Sequence, residues 1–142
     1  MKNKVGLACL VETKIKKEKF GEFYVNSLQW WCITSNFSYG NGGRILILWL
    51  ANCFEVDVIE ASAQFIRLRV KNMALNNWFH CSFVYAFNEA AQRKALWNGL
   101  KKIGDKIDGP WVVVGDFNCP LVLEDRIGRT LFCKVRLHLI VA

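Results

Sequence analysis

The sequence predicts a mixed α/β layered fold, because several β-strand patterns precede one clear helix and a further strand. Hydrophobic residues make up 53% of the 142 residues and charged residues 22%, a balance typical of a folded core and unlike that of disordered chains. The length suits one domain, and the chain contains no internal repeat, low-complexity tract or interdomain linker.

The first part of the chain is predicted to be rich in strands. Val5 to Val11 is a short apolar run typical of a buried strand, and a polar stretch follows it. Phe23 to Ile33 is rich in aromatic residues and is predicted to be a strand near a surface loop. The Asn and Gly residues between Ser35 and Gly43 predict a turn, because both residue types tolerate positive φ.

The middle of the chain shows the period-two pattern of half-buried strands. Apolar and charged residues alternate from Phe54 to Val58 and again from Ile66 to Val70. Arg44 to Leu50 and Trp78 to Tyr85 also read as strands, and Asn76-Asn77 marks the turn before the second of these.

One helix is predicted from its periodicity, beginning after Asn88 and ending at Gly104. Its apolar face has the spacing i, i+4, i+7 and consists of Leu96, Leu100 and Ile103. Trp111 to Val114 is then predicted as a strand, and Gly115 to Asn118 as a tight loop at its end. From Thr130 onward the chain is strand-like and carries no chemical motif.

The charge balance favours a polyanionic partner. Lys and Arg number 19 against 12 acidic residues, giving a formal charge of +7, which suits nucleic acid although it also serves general solubility. The longest apolar run, Ile45 to Ala51, is far shorter than the ~20 residues of a membrane-spanning helix. Met1 to Val11 faintly resembles a signal peptide, but Glu12 and the lysines after it follow without a cleavage motif. We expect an intracellular protein, nuclear or cytoplasmic and not secreted; the sequence gives no indication of an oligomeric state.

The six cysteines favour neither zinc nor disulfides. They form no Cys-x-x-Cys pair, and two histidines are the only possible imidazole ligands. We predict buried thiols in a reducing compartment for all six: Cys9, Cys32, Cys53, Cys81, Cys119 and Cys133.

Three short segments at the ends of predicted strands carry candidate chemistry, since a strand fixes the backbone while the following loop exposes the side chain. In the first, Glu12 follows a buried strand and can bind a hard cation, although a solvated glutamate is the commoner case. In the second, Tyr85 and Asn88 can hydrogen-bond a phosphate oxygen. Alternatively, Tyr85 is a strand residue with an outward hydroxyl and Asn88 the N-cap of the helix that follows.

The third segment is Gly115-Asp116-Phe117-Asn118. Asp116 and Asn118 are two residues apart, so in an extended loop their side chains point the same way. One carboxylate and one amide can then orient a water and a phosphate oxygen. The alternative is an ordinary turn of the Gly-Asp-x-Asn type.

Taken together, the three segments resemble the endonuclease/exonuclease/phosphatase superfamily, which includes DNase I. The motifs that carry the resemblance are Leu10-Val11-Glu12-Thr13-Lys14, Tyr85-Ala86-Phe87-Asn88 and Gly115-Asp116-Phe117-Asn118. Further segments resemble the endonuclease domain of plant LINE-type retrotransposons, namely Gly42-Gly43-Arg44-Ile45, Phe83-Val84-Tyr85-Ala86, Arg93-Lys94-Ala95-Leu96-Trp97, Gly109-Pro110-Trp111 and Glu124-Asp125-Arg126-Ile127-Gly128. The resemblance spans roughly residues 5–128 and leaves 129–142 as a divergent tail.

The resemblance implies an α+β, four-layered sandwich of two mixed β-sheets flanked by helices. It implies a hydrolase that nicks DNA by in-line attack of water on a phosphodiester, with a divalent metal, Mg²⁺ or else Mn²⁺, stabilising phosphoryl charge. The resemblance implies the family's residue roles at those positions of this sequence that match its motifs. Glu12 ligates the metal with Lys14 supporting it, Tyr85 and Asn88 contact the phosphate, Asp116 orients or deprotonates the water, and Asn118 helps to hold the phosphate.

The pattern departs from the family at both ends. The family begins with a strand ending in an Asn of the metal site, and Asn3 does not match it. The family ends with a Ser-Asp-His segment, whereas His138 has no preceding Asp and reads as an ordinary strand residue; His80 matches neither role. We therefore expect residues 1–142 to form a single incomplete domain with little catalytic activity. The alternative is a non-catalytic remnant that binds nucleic acid or phosphate.

Overall fold

Two four-stranded sheets form the centre of the molecule. The computed structural model describes residues 5–13, 15, 17–42, 44–119 and 137–141. The first sheet has the order β2-β3-β1-β8 and is antiparallel wherever its strands pair. Its strands are β1 (Val5–Val11), β2 (Cys32–Ser35), β3 (Ile45–Trp49) and β8 (Leu137–Val141), with helix α1 (Lys17–Ser27) and a 3₁₀ helix (Phe37–Gly42) between β1 and β3.

The second sheet has the order β4-β5-β6-β7. Its first three strands form an antiparallel meander, and β7 then pairs parallel to β6 after a helical crossover. Its elements are β4 (Phe54–Ala61), β5 (Phe65–Asn72), β6 (Asn77–Tyr85), helix α2 (Ala90–Gly104) and β7 (Trp111–Asp116).

The main core lies between the two sheets. Alternate residues of the central strands point inward, and in β5 this is the alternation that the sequence shows from Ile66 to Val70. Both sheets contribute buried side chains to this cluster: Leu7, Cys9, Val11, Ile45 and Ile47 from the first, and Phe54, Ile66, Leu68, Val70, Cys81, Phe83 and Tyr85 from the second.

Each helix covers the outer face of one sheet. Leu96, Leu100 and Ile103 of α2 pack against Phe65 and Val84 of the second sheet. On the other side, Phe20 of α1 and Leu28 just after it pack around Ala8, Leu46 and Leu48 of the first sheet. The order helix, sheet, sheet, helix confirms the four-layered α+β sandwich.

One predicted strand is a helix. Phe23 to Ile33 was predicted as a strand, but α1 continues to Ser27 and β2 begins at Cys32. The partly buried residues Phe20, Tyr24 and Leu28 recur at i, i+4 and i+8, which is a helical spacing. The aromatic and β-branched residues of this segment mask that period, because they favour strands intrinsically.

The remaining element predictions hold with small shifts of boundary. β1 and α2 form where the sequence predicts them, and the strand-like character after Thr130 is confirmed at β8, where His138 is a strand residue. Residues 120–136, including Glu124–Gly128, lie outside the described residues. No helix in the described ranges is long and apolar enough to cross a membrane.

The described cysteines differ in exposure, and Cys9, Cys32, Cys53 and Cys81 are free thiols. Cys9 and Cys81 are buried as predicted, and burial raises the pKa of both thiols, that of Cys81 to about 12. Cys119 is exposed, so the prediction of burial is wrong there, because Cys119 lies beyond the end of β7 rather than within a strand.

Leu68→Ala tests the core between the sheets. Leu68 is fully buried, so we expect its truncation to lower the free energy of unfolding by about 2–5 kcal/mol. Leu75→Ala is the matched control, because Leu75 is 70% exposed and its truncation costs under about 0.5 kcal/mol. Urea unfolding followed by circular dichroism measures both, and equal midpoints would contradict this core assignment.

Candidate functional site

A pocket lies at the end of the sandwich where β6 and β7 finish and β3 begins. Its volume is about 210 Å³. It is lined by residues from both sheets and from the start of α2: Arg44, Tyr85, Ala86, Phe87, Asn88, Glu89 and Gln92. Two of the sequence-predicted site residues, Tyr85 and Asn88, are therefore part of one wall.

Tyr85 and Asp116 are brought together by the parallel pairing of their strands. Each is the last residue of its strand, and the two are partners in the β6–β7 register. Partners in a ladder point to the same face of the sheet, and Tyr85, which is 6% exposed, belongs to the inner cluster. Tyr85 therefore packs in the inner cluster, and Asp116 lies beside Tyr85 at the pocket end of the sheet.

Gly115 makes this close pairing possible. Its φ is +153°, and a Cβ built on it would lie 1.9 Å from the carbonyl oxygen of Val84, its partner in β6. No side chain fits at that distance, so glycine is needed both for the conformation and for the approach of the two backbones. The glycine before Asp116 thus sets where the aspartate lies.

The loop after β7 turns back onto the pocket wall. Asn118 has a φ of 46°, its backbone N–H donates to the Asp116 carboxylate at 2.9 Å, and its side-chain amide donates to the Ala86 carbonyl. The prediction that Asp116 and Asn118 point the same way in an extended loop is wrong, because a left-handed residue closes an Asx-type turn instead. The turn still holds both residues at the pocket through Ala86.

Glu12 lies at the rim of the same end. It directly follows β1 with a φ of 59°, and its N–H donates to the carbonyl of Arg44 at 3.0 Å. Arg44 lines the pocket, so this hydrogen bond places the Glu12 backbone next to it. Lys14, predicted to support Glu12, lies outside the described residues.

Asn88 is exposed at the mouth of the pocket and does not cap the helix. The N-cap is Glu89, in an extended conformation, so the N-cap interpretation of Asn88 is wrong. The Asn88 backbone is held from within the helix, because the Arg93 guanidinium donates to the carbonyls of Phe87 at 3.0 Å and Asn88 at 2.6 Å. Arg93 of the helix therefore fixes the backbone of this loop, and the side-chain amide of Asn88 lies at the pocket.

A buried glutamine that the sequence analysis missed supports this loop. Gln64 is 5% exposed and its side chain accepts a hydrogen bond from the Phe87 N–H at 2.9 Å and donates to the Gln92 carbonyl at 3.1 Å. Its own carbonyl accepts the Tyr85 N–H at 2.9 Å. One residue thus satisfies backbone groups of three pocket-lining residues.

Asn36 continues this network into the first sheet. It is fully buried, accepts the Ile45 N–H at 2.8 Å, and donates to the carbonyls of Ser62 and Ala63 at 2.8 and 3.2 Å. It therefore ties the start of β3, next to Arg44, to the turn that carries Gln64. In the sequence Asn36 reads as one turn residue among several, and Gln64 carries no signal of burial.

The donor chemistry at this end suits a weakly held hard cation. Glu12 and Asp116 supply carboxylate oxygens and Asn118 an amide, whereas the described part of the chain brings no group of three His, Cys, Asp or Glu together. Magnesium is commonly bound through one or two carboxylates, with waters and substrate phosphates completing its shell. The oxygen donors present are of the type that Mg²⁺ binds in that way.

No imidazole of the described ranges lines this pocket. His80 lies on β6, five residues before Tyr85 and roughly 16 Å along the strand, and pairs with Trp111. Burial, with Arg67 and Arg69 nearby, lowers the pKa of His80.

Comparison with known proteins identifies the fold. Neither the protein-family models nor the curated proteins include a match. Among solved structures, the human Nocturnin catalytic domain with bound sulfate anion matches with a TM-score of 0.54 and 17% identity, over 80% of this chain and 52% of that one. The chain thus spans about half the length of that domain. At this identity the likeness shows the fold alone, which is that of the DNase I-like proteins.

Gly115→Ala tests the close approach of β6 and β7. We expect the variant to lose several kcal/mol or fail to fold, because a Cβ overlaps the Val84 carbonyl. Gly109→Ala is the control, since Gly109 also has a positive φ of +105° but no atom within 4 Å of the added Cβ; we expect only the backbone cost, about 1–3 kcal/mol. Equal unfolding midpoints for the two variants would contradict the steric explanation.

Gln64→Ala tests the support of the pocket wall. The change leaves the Phe87 N–H and the Gln92 carbonyl without their partner, so we expect a loss of about 1–3 kcal/mol in the free energy of unfolding. Gln92→Ala is the control because that side chain is exposed and its carbonyl is unchanged. Native-state hydrogen exchange at Phe87 should rise in Gln64→Ala alone.

Proposed function

We propose that this chain binds a phosphodiester of nucleic acid, DNA in the first instance, at the pocket between its two sheets. The observation that carries the proposal is the meeting of Tyr85, Asn88 and the Asp116–Asn118 turn at one end of a DNase I-like sandwich. The formal charge of +7 suits a polyanion. A domain of the same fold binds sulfate, a tetrahedral anion like phosphate.

The reaction class that the resemblance supplies is hydrolysis of the phosphodiester with a divalent metal. Tyr85 and Asn88 would contact phosphate oxygens, and Asn118 would help to hold them. Asp116 would orient or deprotonate the attacking water. Glu12 would hold Mg²⁺ or Mn²⁺ with Lys14 supporting it electrostatically, and the ion would supply stabilisation of charge on the phosphoryl oxygens.

We propose further that cleavage is weak. The described pocket residues include no imidazole for proton transfer, and loss of one member of a catalytic constellation costs several orders of magnitude. The second candidate function is a non-catalytic nucleic-acid or phosphate-binding remnant, which the lack of an imidazole among the described pocket residues favours.

The LINE-type motifs lead us to propose an origin in a retrotransposon, where a DNA nick primes reverse transcription. Such an origin fits the predicted intracellular location, nuclear or cytoplasmic. An adjacent reverse-transcriptase reading frame in the genome would support this origin. A flanking frame of unrelated enzymes would count against it.

Plasmid nicking and DNA binding separate the two candidate functions. We expect the purified chain to nick supercoiled plasmid little or not at all with Mg²⁺ or Mn²⁺, and to bind an oligonucleotide with an affinity that falls as salt rises. Asn88→Ala should weaken that binding, whereas Lys19→Gln on α1 should leave it near wild type.

Two results would contradict these proposals. Robust metal-dependent nicking that disappears in Asp116→Ala would show that the site is an efficient nuclease. Absence of any oligonucleotide binding at low salt would remove both the hydrolytic and the binding function.

A further inference from the structure

An exposed tryptophan stacks on the loop that carries Asp116. The rings of Trp97 on α2 and Phe117 are nearly parallel, with an interplanar angle of 7° and centroids 5.6 Å apart. Phe117 is partly buried against the core under α2, whereas Trp97 is 45% exposed. Phe117 therefore supports one face of the indole, and a large part of the indole remains open to solvent.

We propose that Trp97 is a stacking platform for an unpaired base, and that α2 is the track along which a single-stranded segment reaches the pocket. This inference rests on the proposed function, because the partner in both cases is nucleic acid. Aromatic side chains bind single strands by stacking on bases, without sequence preference, since every base has a π-face.

The platform is joined to the pocket by direct contacts. Phe117 lies between Asp116 and Asn118, and the Asn118 amide donates to the carbonyl of Ala86 in the pocket wall. A base stacked on Trp97 is thus one side chain away from the loop that would act on the phosphodiester. This continuity distinguishes Trp97 from an isolated surface aromatic.

Positive charge flanks the platform on the same stripe of the helix. Lys94, Trp97 and Lys101 are spaced i, i+3 and i+7, and all three are exposed. The two lysines are about 10 Å apart along the axis, on either side of the indole. Cations on both sides of an aromatic ring suit a strand whose phosphates flank a stacked base.

The two helices differ in charge although both cover a sheet. Between Ala90 and Gly104, α2 carries four cations and no acidic residue; the cations are Arg93, Lys94, Lys101 and Lys102. Between Lys17 and Ser27, α1 carries two lysines balanced by Glu18 and Glu22. The excess of positive charge is thus on the helix whose N-terminus lines the pocket.

Other exposed tryptophans lack this combination. Trp78 is 37% exposed, but the Arg69 guanidinium lies over its ring at 4.4 Å from the centroid. Trp30 is 82% exposed, but it follows the charge-balanced helix α1 on the opposite sheet. They are therefore natural controls for a test of Trp97.

The test compares single-stranded and duplex oligonucleotides of one sequence on the full chain by fluorescence anisotropy. Trp97→Ala should weaken single-strand binding about tenfold and affect the duplex less, because paired bases offer no free face. Trp97→Phe should retain most of the affinity, and Trp30→Ala should match wild type. Circular dichroism of Trp97→Ala checks that the fold is kept.

A change of charge on α2 tests, independently of the aromatic substitution, whether a single strand lies along this helix. Lys101→Gln should reduce the slope of log affinity against log salt by about 0.7, the value for one phosphate contact on a single strand. Lys19→Gln on α1 carries the same change in charge and should leave the slope unchanged.

The outcomes separate this inference from the pocket proposal. Wild-type affinity in Trp97→Ala, with weakened binding in Asn88→Ala, would overturn the track and leave the pocket. Weakened binding in Trp97→Ala but not in Asn88→Ala would support the track and remove the pocket. Absence of single-strand binding by the wild type, or equal losses in Trp97→Ala and Trp97→Phe, would overturn the stacking role.

Discussion

The parallel pairing of β6 with β7 is the constraint on which the site depends. It requires a backbone approach that only glycine permits at position 115, and in return it sets the last residues of the two strands side by side. Tyr85 then faces the inter-sheet core, and Asp116 ends its strand at the same edge. Helix α2 makes the crossover between the two strands, and its N-cap residue Glu89 and first-turn residue Gln92 line the pocket. The same element therefore connects the strands, covers the sheet and lines the site.

The sequence predicts those parts of the fold in which burial imposes a simple period. The alternating strands β4 and β5 and the apolar face of α2 are recovered because one face of each lies in a core. Helix α1 is missed because its contact with the first sheet is sparse, and its aromatic residues have the local preference of a strand. The hydrophobic period of a segment therefore predicts its secondary structure better when more of one face is buried.

The site is predicted in part for a related reason. The segments ending β1, β6 and β7 are visible because polar residues follow buried strands, and the structure brings these ends to one edge. The sequence does not predict the conformation of the last loop. Asn118 adopts a left-handed conformation there, whereas an extended loop was expected. Gln64 and Asn36 are also hidden, because their importance arises from backbone groups that are 9 to 28 residues distant along the chain.

Those two amides have a consequence for the behaviour of the site in solution. The links from Ile45 through Asn36 and the turn at Ser62 and Ala63 to Gln64 and Phe87 use side-chain amides and peptide groups. Neither gains or loses a proton over the range in which carboxylates, imidazoles and thiols titrate. The hydrogen bonds that link the two sheets at the pocket therefore contain no group that titrates in this range. Any pH dependence of binding arises outside these hydrogen bonds, from the ligand or from ionisable groups near the pocket.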